Sequence, residues 1–227
     1  MTKPSNAKSP GESTGKTWLR KTMVILCWVV GFVAAKMIVQ SYFDKQAFKT
    51  AGAEANKSME ELRAKAVAEH PDQPAAFAIH DEAIQRSSEE LAQKSGNQKA
   101  KEAAGQFIGF YMINVRTRHD YCKDLGVDIS PYTKAFAAEH EALYAKSRTI
   151  LGRGPYSPDK IEDMTYEQLQ PILQKTISEG MATLAKQNKV TEKDICQGYS
   201  DKGAELASEM HLSKVNPALY KAMLDAR

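Results

Sequence analysis

Residues 23–35, MVILCWVVGFVAA, run for thirteen positions without a charge, and this stretch constrains everything around it. Thirteen residues fall short of the roughly 20 that a bilayer-spanning helix needs. The apolar character resumes after Lys36 with Met37, Ile38 and Val39, so that residues 19–43 make a helix of ample length. Trp18 lies at one rim and Tyr42 at the other, positions that suit the half-apolar, half-wet zone of a membrane interface. Lys36 sits near enough to the far end to extend its ammonium to the headgroups. A transmembrane helix, acting as a signal anchor, is therefore expected at 19–43.

The tail before it, residues 1–18, is rich in Ser, Thr, Gly, Pro and Asn and cannot bury a core. Lys3, Lys8, Lys16, Arg20 and Lys21 face a single acid, Glu12, on this side of the apolar run. Basic residues beside a first span favour its retention in the cytoplasm, although Lys45, Lys49 and Lys57 soften the contrast. The competing reading is a cleaved signal peptide ending at Val33-Ala34-Ala35. Its basic region would be unusually long, and apolar residues continue past the cut. Either way the bulk of the chain is delivered to the same compartment. A lipoprotein is not expected, because Leu26 precedes Cys27 where a small residue is needed.

The remainder reads as helix throughout, and no alternating pattern of strand type extends beyond a few residues. Residues 44–70 predict one stalk-like helix, with Phe48, Gly52, Ala55, Met59, Leu62 and Ala66 on a thin heptad seam. Residues 71–227 predict a helical domain. A helix beginning near Asp72 or Gln73 should bury Phe77, Ile84 and Leu91. The next contains the strongest core signal in the chain, from Phe107 to Val115, apolar all round but too short to span a bilayer. Gly105 and Gly109 within it permit a close neighbour, and Gly126 is a natural stop. Ser130-Pro131 opens a helix expected to continue to Leu151. After a loop from Gly152 to Pro158, Thr165 with Gln168 and Thr191 with Asp194 suggest capping boxes. A last short helix follows Pro217. The expected fold class is all-α: one N-terminal transmembrane helix followed by an extracytoplasmic helical bundle.

Cys122 and Cys196 fall at the end of the core helix and in the first turns of a late one. In an oxidising compartment they predict a disulfide. Net charge is only +3, with basic and acidic residues intermixed after residue 44, so nucleic acid is not an expected partner. There is no His-Glu-x-x-His, no Cys-x-x-Cys and no nucleophile elbow. No cofactor or metal is expected: His119 and Cys122 could begin a metal site with Cys196, but zinc normally wants three or four protein ligands and no motif supplies the rest. The densest polar cluster is Asn114, Arg116, Arg118, His119, Asp120, Lys123 and Asp124. Arg116, Arg118 and His119 are candidate contacts for an anion or a partner, against the plainer alternative of pairing with nearby acids. Arg153 and Tyr156 in the long loop are candidates on the same terms.

These features predict a non-enzymatic interaction or scaffold module, an accessory subunit of an envelope assembly with protein partners. The expected site is a bacterial inner membrane, crossed once, with the C-terminal domain in the periplasm. The alternatives are an anchored envelope enzyme, which needs a pocket near His119 or His140, and a sensor domain with an apolar cavity.

Overall fold

The computed structural model describes residues 45–152 and 156–226. The expected tail, the expected span at 19–43 and Arg153 lie outside the described residues. Within these, every regular element is a helix, as the sequence predicts, and there is no strand. None of the described helices is long and apolar enough to cross a membrane.

Helix α1 (Lys45–Glu69) buries Ala55, Met59, Leu62 and Ala66 of the heptad seam against the rest of the molecule, Phe48 and Gly52 lying outside the residues whose packing is described. Small side chains let α2 (Ala75–Ala92) lie close along it, and Lys65 of α1 donates to the buried Glu82 of α2 at 2.6 Å. α2 starts later than expected. Gln73 N–H is taken up by the carbonyl of His70 in a turn, and Pro74, at ψ 131°, is the N-cap. The buried face shifts accordingly: Ala78, Ile79, Ala83 and Leu91 are inside, whereas Phe77 and Ile84 are only half-buried.

Helix α3 (Gly96–Met112) is the centre of the domain, with Phe107, Ile108 and Phe110 fully enclosed. It continues through one widened π-helical turn (Ile113–Thr117) into α4 (Arg118–Asp124). Gly126 stops α4 at φ 76°, its N–H reaching the carbonyl of Lys123 while that of Val127 reaches Cys122. This is the paired closure that satisfies the last carbonyls of a helix, and it favours glycine at the left-handed position.

The helix expected from Ser130 to Leu151 is two: α5 (Ser130–Glu139) and α6 (Glu141–Leu151), broken at His140 with φ −112° and ψ 8°. The cause is tertiary. The buried His140 ring is stacked on Phe136 at 4.2 Å and on His211 at 5.0 Å. The Leu212 N–H donates to His140 Nε2 at 3.0 Å, which leaves the proton on Nδ1, 2.9 Å from the Phe136 carbonyl. One neutral tautomer thus ties the break to the C-terminal segment. Burial, with the neighbouring His211 adding to it, pushes the imidazole down to about 4. The unfolded chain takes up this proton near pH 6.5 and the folded one only near 4, so stability is intact above pH 6.5 and declines as the pH falls. Between pH 7 and pH 4.5 this group should cost about 2.5 kcal/mol. His140→Gln, which accepts from Leu212 without titrating, should lose less stability over that range in denaturant unfolding; equal losses in both proteins would refute the assignment.

Helix α7 (Pro158–Asn188) begins at a Ser157 cap, the serine accepting from Lys160 N–H, with proline in the first turn. The expected capping box at Thr165 does not form, because Thr165 lies two turns inside α7 and is buried. α7 ends on Lys189 in the left-handed region, φ 55°, with Lys189 and Val190 N–H closing back on Lys186 and Ala185. A side chain there is strained, and Lys189→Gly should stabilise by about 1 kcal/mol. A raised denaturation midpoint at unchanged slope is the check.

Helix α8 (Glu192–Asp201) has the expected capping box, Thr191 and Asp194 each accepting from the other's backbone N–H. It stops at Lys202, and α9 (Gly203–Glu209) restarts at once. α9 lies directly on α5. The short α10 (Leu212–Val215) leads to α11 (Pro217–Asp225), which starts where expected, with Asn216 capping Leu219 N–H.

Candidate functional site

The polar cluster at the end of the core helix divides into an inner and an outer half. Asn114, Arg118 and Cys122 are four residues apart, so they share one face, and that face is inward. Arg118 has no exposed surface and is the largest fully buried side chain described. Its guanidinium donates to Asn114 Oδ1 at 2.7 Å and to Tyr132 Oη at 2.9 Å, while Tyr132 donates to the same Asn114 oxygen at 2.7 Å. The guanidinium carbon lies 4.7 Å from the ring centroid of Tyr199. Charge-assisted hydrogen bonds and two aromatic faces offset the desolvation of a permanent cation, which is costly without them. Four residues on, Cys122 is bonded to Cys196, with Cα atoms 5.5 Å apart.

The outer half faces water. Arg116 Nη1 is 3.2 Å from Asp163 Oδ1 and its guanidinium covers the Tyr166 ring at 3.9 Å. Tyr166 donates to Asp120 at 2.9 Å, and burial together with that carboxylate raises its hydroxyl to about 12. His119 Nδ1 lies 3.4 Å from Asp120. Tyr121 donates to Glu192 of α8. Arg116 and Arg118 therefore do not converge on a common point: one joins the surface of α7, the other the interior.

A second polar group surrounds the first turns of α7. Arg148 holds Asp159 at 2.7 Å and Glu162 at 3.1 Å, and Tyr144 donates to Glu162 at 2.8 Å. Burial raises the Glu162 carboxyl, and burial followed by its bond to Glu162 takes Tyr144 to about 12. Asp159 is foremost in raising Arg148. An open cleft of about 710 Å³ adjoins them, lined by Glu141, Tyr144, Arg148, Thr149 and Pro158. Both Glu162 oxygens are engaged, one by Tyr144 and one by Arg148. The carboxylate is thus committed to holding an arginine against a helix start.

The chain matches no family model, no curated protein and no solved structure. Among the described residues no three His, Cys, Asp or Glu side chains converge as a metal site would require. Tyr156, the remaining loop candidate, is half-buried with Lys160 Nζ 5.1 Å from its ring. The acidic partners Asp159, Glu162 and Asp163 were not singled out by sequence reasoning; their place in the first turns of a helix opened by Ser157-Pro158 was the available signal.

Proposed function

We propose that this chain is a membrane-anchored, non-enzymatic interaction module whose helical domain works on the oxidising side of the membrane. The observation that carries the reading is the Cys122–Cys196 bridge, buried in a helical domain that follows the apolar run at 19–43. Such bridges persist where thiols are not kept reduced. The conspicuous arginines of the two polar groups are engaged with acids, amides and rings of the chain itself, which supports a scaffold over a catalyst. A bacterial inner membrane with a periplasmic domain is the proposed setting, and other envelope proteins are the proposed partners.

The test uses the full chain in cells. It should resist carbonate extraction, its C-terminal domain should be protected from protease added to the cytoplasmic side, and its two domain cysteines should resist alkylation without reductant. Crosslinking before solubilisation should then yield a heteromeric complex. Free solubility in cytoplasm with alkylatable thiols would overturn the placement, and a chain that stays alone after crosslinking would overturn the scaffold role. The second reading is an anchored enzyme, which the open cleft beside Glu141, Tyr144 and Arg148 would serve as a binding site.

A further inference from the structure

Two ion pairs fix the direction of α1 against the longest helix. Glu60 meets Lys175 at 4.0 Å and Arg63 meets Glu179 at 2.6 Å, so advancing three residues along α1 advances four along α7. The helices run the same way. From Glu60 back to Lys45 is about 22 Å of helix, and from Lys175 back to Pro158 about 26 Å. The first residue of α1 and the start of α7 accordingly lie toward the same end of the domain, level to within about one turn.

Lys45 is also the second residue after the run at 19–43. We propose that the end of the domain formed by Tyr156–Lys160 and the close of α6 rests on the lipid headgroups of the bilayer in which the chain is anchored. The inference depends on the proposed anchor and adds the face that meets the membrane. α6 and α7 are joined at this end, since a side chain on Gly152 would come within 3.0 Å of Pro158. The surface there offers Tyr156 with the Lys160 ammonium over its ring, and Lys160 and Asp159 are exposed. An aromatic body with a cationic tip is the combination that suits the headgroup zone, where the ring is half solvated and the ammonium meets phosphate. The opposite end of α7, with Lys189 and Val190, is held about 45 Å away along the helix.

The experiment places tryptophan at each end. In the full chain with Trp18 and Trp28 replaced by phenylalanine, Tyr156→Trp and Val190→Trp are reconstituted separately into vesicles of brominated or unbrominated phosphatidylcholine. Tyr156→Trp should lose fluorescence in the brominated vesicles and Val190→Trp should keep it. Should Tyr156→Trp fail to fold, as judged by loss of the Cys122–Cys196 bridge, Lys160→Trp takes its place. Quenching at Val190 alone, or at neither position in protein that floats with the vesicles, overturns the proposed face and leaves the anchor intact. Protein that does not float with the vesicles overturns the anchor, and this inference with it.

Discussion

Cys122→Ala/Cys196→Ala should be less stable than the parent chain by about 4 kcal/mol, the chain-entropy value for closing a loop of 74 positions. For a domain of this size that corresponds to a fall in melting temperature on the order of 10 °C. The bridge joins α4, which closes the central helix, to α8 across a core in which many of the enclosed residues are alanine. Alanine buries little apolar area, so the constraint on the unfolded chain counts for more here than in a leucine-rich core. Thermal unfolding with and without reductant is the measurement. The parent should fall to the variant's melting temperature when reduced, and the variant should not respond. A parent indifferent to reductant would mean that the thiols are not joined.

The second large effect is expected at Gly203→Ala. A Cβ on Gly203 would lie 2.5 Å from the Tyr132 amide nitrogen and 2.6 Å from the Pro131 carbonyl carbon. These are backbone atoms of α5, and no side-chain rotation moves them away. α5 and α9 must separate, and Tyr132, which positions Arg118, moves with α5. Overpacking usually costs 1–3 kcal/mol, and the absence of a yielding neighbour places this case near 3 kcal/mol. Gly126→Ala is the contrast: its surroundings are open, its φ is 76°, and backbone strain alone should cost about 1 kcal/mol. The two variants melting alike would refute the close approach at Gly203.

The features legible in the sequence are those with local causes. The apolar run from Phe107 to Val115 cannot face water on any side, so its central place follows from its composition. Thr191 and Asp194 cap α8 with groups three residues apart, which no distant contact needs to arrange. Thr165 shows the same pattern and caps nothing, because Ser157-Pro158 starts the helix two turns earlier and a threonine inside it has no free N–H to accept. The break at His140 is invisible in an alanine-rich stretch without Gly or Pro; it exists because an amide at Leu212, 72 positions away, binds the ring. Likewise Gly203 looks like any helix-breaking glycine until the backbone of α5 is seen against it. In the candidate site, the inward turn of Arg118 was implicit in its spacing of four from both Asn114 and Cys122. That Arg116 serves α7 was not, since its partners Asp163 and Tyr166 lie far along the chain.

The bond at Cys122 and the cation at Arg118 lie between the same two helices, α4 and α8: Cys122 meets Cys196 while Arg118 meets Tyr199, one turn along each. Bringing the sulfurs together therefore draws a full positive charge out of water beside them. The docking of α8 on α4 thus closes the covalent link and encloses the cation in one packing event, so a change that parts the two helices exposes both.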